Sequence, residues 1–474
     1  MTTLPNDTII ALATASGVGA IAVIRVSGPD AISIVNNCFN SKFGNKDLTK
    51  VKSHTMHLGN LMDGKRTVDE VLVSIFKNPN SYTGENVVEI NCHGSVYIQQ
   101  EIVQLFLRNK IRHAEPGEFT LRAFLNGKMD LSQAEAVADL IASNSAASHQ
   151  VALQQMRGGF SSEIKDLRAQ LLNFASLIEL ELDFSEEDVA FADREQFKNL
   201  VSKIIIVLKR LIDSFALGNV LKNGIPVAIV GEPNVGKSTL LNALLNEDKA
   251  IVSDIAGTTR DAIEDEIALD GVTYRFIDTA GIRETTDVIE RIGIQKTHEK
   301  IESSQLVLYI IDGSKVGNDR LDAAQELSQQ VLEELAIIKE MYPQKRMLIV
   351  LNKIDVLTDG QLEILQEKIE GLLPISAKNN LGIHELVLHL TSLVNTGKLS
   401  SNETIVTNSR HYEALNNAFE SILSVQTGVE DGLPSDLFAI DIRECLRHLG
   451  AITGEFDVDK DILGNLFANF CIGK

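Results

Sequence analysis

Eight residues near the middle of the chain, 231–238, form a complete GxxxxGKS phosphate-binding loop. The apolar segment Ile225–Val230 before the loop predicts a buried strand, and residues 239–245 after it predict the first turns of a helix. Backbone N–H groups of such a loop point at phosphate oxygens, Lys237 reaches the β- and γ-phosphates, and the Ser238 hydroxyl can hold Mg²⁺. Because strand, loop and helix occur in the required order, the sequence predicts a nucleoside triphosphate site.

Four further segments follow in the order that a GTPase requires. They are GTTRD at residues 257–261, DTAG at 278–281, NKID at 352–355 and SAK at 376–378. DTAG follows a predicted strand, Val272–Ile277. It resembles the DxxG loop with which GTPases sense the γ-phosphate. The Asp355 carboxylate can accept two hydrogen bonds from the N1–H and the amine of guanine, which adenine cannot donate. Taken alone, NKID also fits a strand-end turn with a solvated Asp355, but the motifs together predict specificity for GTP.

The residue after DTAG is Ile282, whose apolar side chain cannot orient the attacking water as the Gln of Ras-like proteins does. Catalysis therefore needs another residue or a partner. Asn234 in the phosphate loop can hold a monovalent cation beside the β- and γ-phosphates, which would supply positive charge there. Glu290 can bind the water through a bridge. Taken alone, Glu290 is better explained as an exposed helix carboxylate beside Arg291.

The charge of the chain limits its partners. With 44 basic and 65 acidic residues the net charge is −21, which argues against broad binding to nucleic acid or to anionic membranes. An RNA partner therefore requires a local basic patch or a second protein that carries one. The four cysteines lack CxxC spacing, as expected for a reducing compartment without a structural zinc site, and Cys92-His93 has no second pair to complete a metal site. Residues 9–26 predict a strand and a loop rather than a signal peptide, and no apolar run suits a membrane span, so we expect a cytoplasmic protein.

A chain of 474 residues is long enough for two to four domains. The patterns predict a mixed α/β domain over residues 1–126, a helical domain over 127–222, a GTPase domain over 223–396 and a second helical part over 397–474. Ser132 and Glu135 are predicted to form a capping box at a helix start. Because small GTPase domains have neighbouring termini, we expect this one to be inserted within a single helical domain.

Several longer motifs resemble one family, MnmE (TrmE), a family of tRNA-modification GTPases. They are PGEF at residues 116–119, RAFLN at 122–126, LSQAEA at 131–136, ERIG at 290–293, ITGEF at 452–456 and the terminal CIGK at 471–474. These motifs lie in all three predicted regions and together cover nearly the whole chain. The terminal CIGK together with the GTPase motifs is very specific.

The resemblance implies an N-terminal domain that forms a homodimer and binds a one-carbon donor, 5-formyl- or methylene-tetrahydrofolate. The matching positions are Arg25, Glu89 and Lys128, with the terminal Lys474 reaching the same site. Arg and Lys side chains suit the glutamate carboxylates of a folate, and Glu89 can accept hydrogen bonds from the pterin amines. Near that site Cys471 can act as a nucleophile or base, or it is a small buried residue at a helix end.

The resemblance also implies metal ligands and a catalytic carboxylate in the GTPase domain. Glu290 matches the residue that orients the catalytic water, which makes it a catalytic candidate beside Lys237. Position 253 is often Thr in the family, and Ser253 keeps a ligand oxygen. The implied potassium ligands are Asn234, Ser253, Thr258 and the backbone of Ile255, and the implied magnesium ligands are Ser238 and Thr259. The residues expected to contact GTP are Asn234, Val235, Gly236, Lys237, Ser238, Thr239, Ser253, Asp254, Ile255, Ala256, Gly257, Thr258, Thr259, Asp278, Thr279, Ala280, Gly281, Asn352, Lys353, Asp355, Ser376, Ala377 and Lys378.

The implied function is modification of the 5-position of the wobble uridine of certain tRNAs with a carboxymethylaminomethyl-type group. The work would be shared with MnmG, a FAD-binding partner, in a heterotetramer. The alternative is a GTP-dependent assembly factor or switch that acts on RNA–protein complexes without its own modification chemistry. The phosphate loop, Ile282 and NKID fit both functions, whereas the N-terminal domain and CIGK favour the modification enzyme.

Overall fold

The computed structural model describes residues 7–183, 194–246, 251–252, 264–277, 299–317, 321–393 and 404–455. Contacts divide the chain into two compact units. The first combines Met1–Ile141, Gln154–Arg210 and Arg410–Lys474, and the second combines Ala142–Leu153 with Leu211–Ser409. The second unit is therefore inserted, in sequence, within the first.

A seven-stranded sheet forms the N-terminal part of the first unit. Its strands are β1 (Ile9–Leu12), β2 (Ile21–Ser27), β3 (Phe39–Ser41), β4 (Thr55–Asp63), β5 (Arg66–Phe76), β6 (Val87–His93) and β7 (Arg112–His113). Their spatial order is β3-β4-β5-β6-β2-β1-β7, and all neighbours run antiparallel except β1 and β7. Because side chains alternate across a strand, one residue in two faces the core.

The core of this sheet lies on the face that carries Ala22, Ile24 and Val26 of β2, together with alternate residues of β5 and β6. Helices α1 (Ala31–Cys38) and α2 (Val96–Arg108) contribute their buried residues to the same core. The opposite face carries Arg25, which pairs in register with Glu89, and the same rung continues through Ser74 to Met56. That face exposes three large apolar side chains, at 68% for Ile21, 60% for Met56 and 40% for Leu72.

Helices make up the rest of the first unit. They are α3 (Glu118–Leu125), α4 (Leu131–Ala142), α6 (Gly159–Asp183), α12 (Ser409–Glu430), α13 (Ser435–Thr453) and parts of α5 (Ala146–Met156) and α7 (Arg194–Asn223). The ring of Phe197 in α7 stacks on Phe438 in α13 at 6.0 Å, and lies 5.4 Å from Phe174 in α6. Aromatic contacts therefore join helices from distant parts of the chain.

The capping box predicted at Ser132 and Glu135 is wrong. The reciprocal bonds are made by Asp130 and Gln133, because Asp130 Oδ1 accepts from Gln133 N and Gln133 Oε1 accepts from Asp130 N, both at 3.0 Å. Helix α4 begins at Leu131, one residue before the predicted cap, so Ser132 lies inside the helix. Its hydroxyl is buried and has no hydrogen-bond partner.

Glu135 instead lies at the centre of a buried charge cluster. Its carboxylate accepts from Arg410 Nε at 2.8 Å and lies 2.7 Å from His411 Nε2. Arg410 also donates to the carbonyl oxygens of Ala451 and Ile452 at the end of α13. Burial alone would raise the pKa of Glu135, but its interactions with His411 and Arg410 lower that pKa to about 2. The cluster therefore ties α4 to both C-terminal helices.

The second unit contains another seven-stranded sheet. Its strands are β8 (Ile225–Val230), β9 (Ile251–Val252), β10 (Glu264–Leu269), β11 (Val272–Ile277), β12 (Leu306–Asp312), β13 (Arg346–Asn352) and β14 (Leu372–Pro374). The order is β14-β13-β12-β8-β11-β10-β9, parallel from β14 to β11 and antiparallel at β10 and β9. The helices of this unit are α8 (Lys237–Leu245), α9 (Leu321–Met341), α10 (Asp359–Lys368), α11 (Ile383–Leu393) and the parts of α5 and α7 outside the first unit.

Both faces of this sheet are covered, as its nearly continuous apolar strands require. Val227 and Ile229 of β8 belong to the core beside α8 and α11, whereas Tyr309 and Ile311 of β12 belong to the core beside α9. This order, with β8 at the centre, is the mostly parallel sheet expected for the predicted GTPase domain. Among the described helices, none combines the length and the apolar character needed to cross a membrane.

The Glu135 cluster generates a prediction about stability. We expect Glu135→Gln to lower the free energy of unfolding by about 3 kcal/mol at pH 7, because Arg410 then loses its buried counter-charge. The lowered pKa means that the contribution of Glu135 is complete above the usual value of 4.5 and is lost as pH falls towards about 2.

Urea unfolding of wild type and variant between about pH 7 and pH 3 measures the difference in their free energies of unfolding. This difference should become smaller as the pH falls. Glu420→Gln, at an exposed position of α12, is the control and should leave the midpoint unchanged. Equal midpoints for wild type and Glu135→Gln at pH 7 would show that the cluster does not stabilise the unit.

Candidate nucleotide-binding site

The phosphate loop leaves the carboxyl end of β8 and enters α8 through a chain of unusual backbone conformations. Asn234 has a φ of 63° and Gly236 a φ of 99°, both in the left-handed region. A Cβ at Gly231 would lie 2.5 Å from the carbonyl oxygen of Ile310, and a Cβ at Gly236 would lie 2.4 Å from Asn352 Nδ2. Glycine is therefore required at positions 231 and 236 because a Cβ would clash with neighbouring atoms and because the backbone has a positive φ there.

The Asn352 side chain joins three loops of the site. Its Nδ2 donates to the carbonyl oxygen of Val235 at 2.8 Å, and its Oδ1 accepts from Lys353 N at 2.8 Å and from Ala377 N at 3.1 Å. Asn352 is 2% exposed, so these bonds are protected from water. Both ends of one amide thus hold the phosphate loop, the NKID turn and the SAK loop at fixed positions.

Lys353 makes a second connection to the phosphate loop. It has a left-handed backbone, with a φ of 64°, and its Nζ donates to the carbonyl oxygen of Asn234 at 2.9 Å and to Asp312 Oδ2 at 2.7 Å. Burial alone would raise the pKa of Asp312, but its bonds with Lys353 and Ser314 hold that pKa below its usual range. The sequence motifs did not indicate Asp312, which follows β12 directly; its position at the carboxyl end of a parallel strand was the available signal.

The base-recognition residues also lie together. Asp355 Oδ1 accepts from the Ser376 hydroxyl at 2.5 Å, which fixes the orientation of its carboxylate while the residue remains exposed. Ser376 is itself held by a backbone bond from its N to the carbonyl oxygen of Leu381. Lys378 is exposed in the same loop. An exposed, oriented carboxylate is suited to accept the paired donors of a guanine.

The remaining predicted contacts fall into two groups. Lys237 is half-buried at the first position of α8, followed by the exposed Ser238 and Thr239. A hydroxyl oxygen is a suitable ligand for Mg²⁺, and the exposed amide of Asn234 offers an oxygen to a larger cation. The predicted residues Ser253, Asp254, Ile255, Ala256, Gly257, Thr258, Thr259, Asp278, Thr279, Ala280, Gly281, Glu290, Cys471 and Lys474 lie outside the described residues.

Three of the residues predicted from the resemblance, Arg25, Glu89 and Lys128, lie in the first unit. Arg25 donates to Glu89 Oε1 from Nε at 3.0 Å and from Nη2 at 2.8 Å, so the two side chains form an ion pair across β2 and β6. The guanidinium of Arg25 lies 5.1 Å from the ring centroid of Tyr82 and 5.7 Å from that of Phe119. Lys128 Nζ donates to the carbonyl oxygen of Pro79, in the loop that carries Tyr82.

A buried charge network supports this loop and was missed by sequence reasoning. Arg122, with a side chain 0% exposed, donates to Asp7, Glu85 and Glu118, and Arg112 donates to Asp7 and Glu118. Burial alone would raise the pKa of Glu118, but hydrogen bonds from Arg112 and Arg122 hold it below its usual range. The i, i+4 spacing of Glu118 and Arg122 was a signal for this contact.

The Cys92-His93 pair does not share a ligand site. The Cys92 thiol is buried and contacts the carbonyl oxygen of Ala22 at 3.5 Å, and burial raises its pKa to about 11. His93 is exposed, and its Nδ1 lies 2.7 Å from Asp69 Oδ1. Within the described part of the chain, no three His, Cys, Asp or Glu side chains are grouped to hold a metal ion.

Comparisons with known proteins agree with this architecture. A family model described as the MnmE helical domain matches residues 131–471, and one described as the GTP-binding protein TrmE N-terminus matches residues 8–128. The tRNA modification GTPase MnmE of Christiangramia forsetii is 64% identical over 99% of both chains, and that of Flavobacterium johnsoniae is 62% identical over 99% of both. The one from Bacteroides fragilis is 52% identical over 99% of this chain and all of its own.

The chain belongs to the MnmE family. The resemblance drawn from the motifs is thereby confirmed, as is the fold class of this MnmE-family member: an N-terminal α/β domain, a helical domain and an inserted Ras-like P-loop GTPase domain. It is a GTPase. A crystal structure of an Era variant from Aquifex aeolicus bound to GDP.AlF4⁻ aligns with 42% of this chain over 66% of the Era chain, at 28% sequence identity. The TM-score of this alignment is 0.25.

The Asn352 contacts of this MnmE-family protein generate a prediction about nucleotide affinity. Asn352→Asp preserves the shape of the side chain but places a carboxylate oxygen against the carbonyl oxygen of Val235, where a donor is needed. We expect at least about tenfold weaker binding of GDP, the scale of one lost buried hydrogen bond with an unsatisfied partner.

Titration with a fluorescent GDP analogue measures this affinity. Asn379→Ala removes an exposed amide from the neighbouring loop and is the matched control, with wild-type affinity expected. Unchanged affinity in Asn352→Asp would show that the phosphate loop keeps its position without the amide.

Proposed function

We propose that this chain is a potassium-dependent GTPase that takes part in modifying the 5-position of the wobble uridine of certain tRNAs. The observation that carries the proposal is its 64% identity, over 99% of both chains, to a relative named tRNA modification GTPase MnmE. The same chain combines a nucleotide site with an N-terminal domain that carries the Arg25–Glu89 ion pair and Lys128, which supports an enzyme with two functional centres.

In the proposed GTPase reaction, the phosphate-loop backbone and Lys237 bind the β- and γ-phosphates, and Asp355 selects guanine. Ser238 and Thr259 would hold Mg²⁺, which would supply positive charge to the phosphates. The K⁺ ligands would be Asn234, Ser253, Thr258 and the backbone of Ile255. Glu290 orients the water, since Ile282 cannot. The fixed carbonyl of Asn234, bonded to Lys353, supports a stable position for its amide beside the phosphates.

In the proposed modification reaction, the N-terminal centre binds a tetrahydrofolate that carries one carbon, in the 5-formyl or methylene form. Arg25, Lys128 and Lys474 bind the glutamate carboxylates, and Glu89 accepts hydrogen bonds from the pterin amines. The Arg25–Glu89 pair places a donor and an acceptor side by side, which supports this assignment. Cys471 is assigned the nucleophile or base near this centre.

We propose that the chain forms a homodimer in the cytoplasm. The homodimer binds MnmG, a FAD-binding protein, to form a heterotetramer whose substrate is tRNA. The sheet face with exposed Ile21, Met56 and Leu72 supports self-association through the N-terminal domain. The net charge of −21 supports a division of work in which the partner supplies most of the tRNA-binding surface. The proposed domains are residues 1–126, 127–222, 223–396 and 397–474.

The role of potassium is tested by the cation dependence of GTP hydrolysis. We expect hydrolysis to be at least about tenfold faster in KCl than in NaCl, because a correctly placed cation stabilises charge that develops on the phosphates. Asn234→Gly should abolish this difference, and it keeps the left-handed backbone without strain, since glycine favours that region.

Choline chloride at the same ionic strength controls for general salt effects. The affinity of Asn234→Gly for GDP, measured alongside, separates loss of the cation from loss of the nucleotide. Equal rates of wild type in all three salts would rule out a potassium-dependent mechanism.

The modification function is tested by nucleoside analysis of tRNA from cells that lack this protein. We expect the 5-substituted wobble uridine to disappear and to return on complementation with wild type or with Glu420→Gln. Cys471→Ser should hydrolyse GTP at the wild-type rate and fail to restore the nucleoside. An unchanged nucleoside profile in the deleted strain would contradict the proposal and favour a GTP-dependent assembly factor.

A further inference from the structure

A three-residue connection between α4 and α5, residues 143–145, belongs to the second unit and contacts the β10–β11 hairpin. Asn144 lies at its centre. Its Oδ1 accepts from the Thr273 hydroxyl of β11 at 2.9 Å, and its Nδ2 donates to Glu266 Oε2 of β10 at 2.8 Å. One amide therefore bridges two adjacent strands with both of its functional atoms.

The bridge lies on a defined face of the hairpin. Ala268 pairs with Thr273, and Glu266 pairs with Arg275, so these four residues share one face, whereas Tyr274 and its alternate neighbours form the core on the other. A backbone bond from Ala147 N to the carbonyl oxygen of Gly271 adds a contact at the hairpin turn. Thr273 is 4% exposed, so its bond with Asn144 is shielded from water.

The two bridged strands lead to the predicted nucleotide-sensing segments. Strand β10 begins at Glu264, after the segment predicted to bind K⁺ and Mg²⁺, and β11 ends at Ile277, immediately before DTAG. The two strands pair along their whole length, from Glu264 opposite Ile277 to Leu269 opposite Val272. The Asn144 bridge therefore joins both of these strands to the segment that precedes α5.

Helix α5 connects this contact to the other functional region. Ser145 and Ser148 cap its start through reciprocal bonds of 3.1 and 3.2 Å between side chain and backbone. The helix begins in the second unit and ends in the first, where the Met156 carbonyl oxygen accepts from Gln133 Nε2 at 3.1 Å.

Gln133 in turn forms the reciprocal cap with Asp130 at the start of α4. Asp130 also accepts from the Ser161 hydroxyl at 2.9 Å and from Lys165 at 3.0 Å. It lies two residues after Lys128, the predicted folate ligand, which is itself bonded to the Pro79 carbonyl. Specific hydrogen bonds thus occur at both ends of α5, one set on the hairpin and one beside the Lys128 segment.

We propose that Asn144 is a positioning residue through which the nucleotide state regulates the N-terminal centre, by way of the β10–β11 hairpin, helix α5 and the Gln133–Asp130 cap. This proposal rests on the proposed function, since it concerns how hydrolysis is coupled to modification. Asn144 is not part of the nucleotide site. Its removal therefore separates two activities that remain coupled in the wild type.

The first test is hydrogen–deuterium exchange of the full chain with GDP, with and without AlF4⁻. In wild type we expect α5 and residues 126–142 to change their exchange rates between the two states, by about tenfold, as expected for an allosteric coupling of ordinary size. In Asn144→Ala this difference should disappear from these segments, while GDP affinity and GTP hydrolysis stay at wild-type values. Gln150→Ala, which removes an exposed amide from the same helix, is the matched control.

Thr273→Val supplies a second, nearly isosteric variant that removes only the hydroxyl donor. If Thr273 acts only through its bond with Asn144, the double variant Asn144→Ala with Thr273→Val is no worse than Asn144→Ala alone. In complemented cells, both single variants should lower the content of the modified wobble uridine while hydrolysing GTP normally.

Two outcomes of the exchange and nucleoside experiments would overturn the inference. They are an exchange difference in α5 and residues 126–142 that Asn144→Ala leaves intact, or a full content of modified uridine in both variants. Failure of the proposed function has a different signature, since the wild-type strain and the deleted strain would then have the same nucleoside profile. A loss of GDP affinity in Asn144→Ala would also count against the inference, because the residue would then support the nucleotide site directly.

Discussion

The bonds of the Asn352 amide hold the nucleotide site together. The phosphate loop, the NKID turn and the SAK loop come from separate connections of the sheet, and the Asn352 side chain is bonded to all three. A buried side-chain amide can satisfy one acceptor and two donors at once, and leaving any of them unpaired would cost about 1–3 kcal/mol. The glycine at position 236 follows from this arrangement, since a Cβ there would occupy the place of Asn352 Nδ2.

The first unit depends on a different device, the pairing of buried charges. Arg122 pairs with three carboxylates of the N-terminal domain, and Glu135 joins α4 to α12 and, through Arg410, to α13. Such clusters add little net stability compared with apolar packing, but breaking one leaves an uncompensated charge inside the protein. Geometry is their main contribution: Arg122 fixes the loop that carries Tyr82 against Arg25, and Arg410 fixes the end of α13.

Much of the GTPase domain was predictable because its signals are local. The strands predicted at Ile225–Val230 and Val272–Ile277 have the same bounds in the structure. The order of the motifs predicted one GTP site, and the structure brings the NKID and SAK loops beside the phosphate loop. The helix start at α4 was predicted two residues late, since Asp130 and Ser132 both fit a cap pattern. Only the observed bonds distinguish them.

The interactions missed by sequence reasoning join residues far apart in the chain. Asn144 and Glu266 are 122 residues apart, and Glu135 and Arg410 are 275 apart, so no period or motif relates them. The pairing of Arg25 with Glu89 needs the register of β2 on β6, which a single sequence does not specify. Long-range side-chain contacts of this kind depend on the folded sheet rather than on local pattern.

The exposed face of the N-terminal sheet has a consequence for how the protein behaves at different ionic strengths. Burying a large apolar side chain contributes about 1.5–3 kcal/mol, and a symmetric contact would bury Ile21, Met56 and Leu72 from each copy. Two copies that each carry a net charge of −21 repel one another as they approach. Salt would screen that repulsion and leave the apolar attraction intact, so the proposed association through this face is expected to strengthen as salt is added.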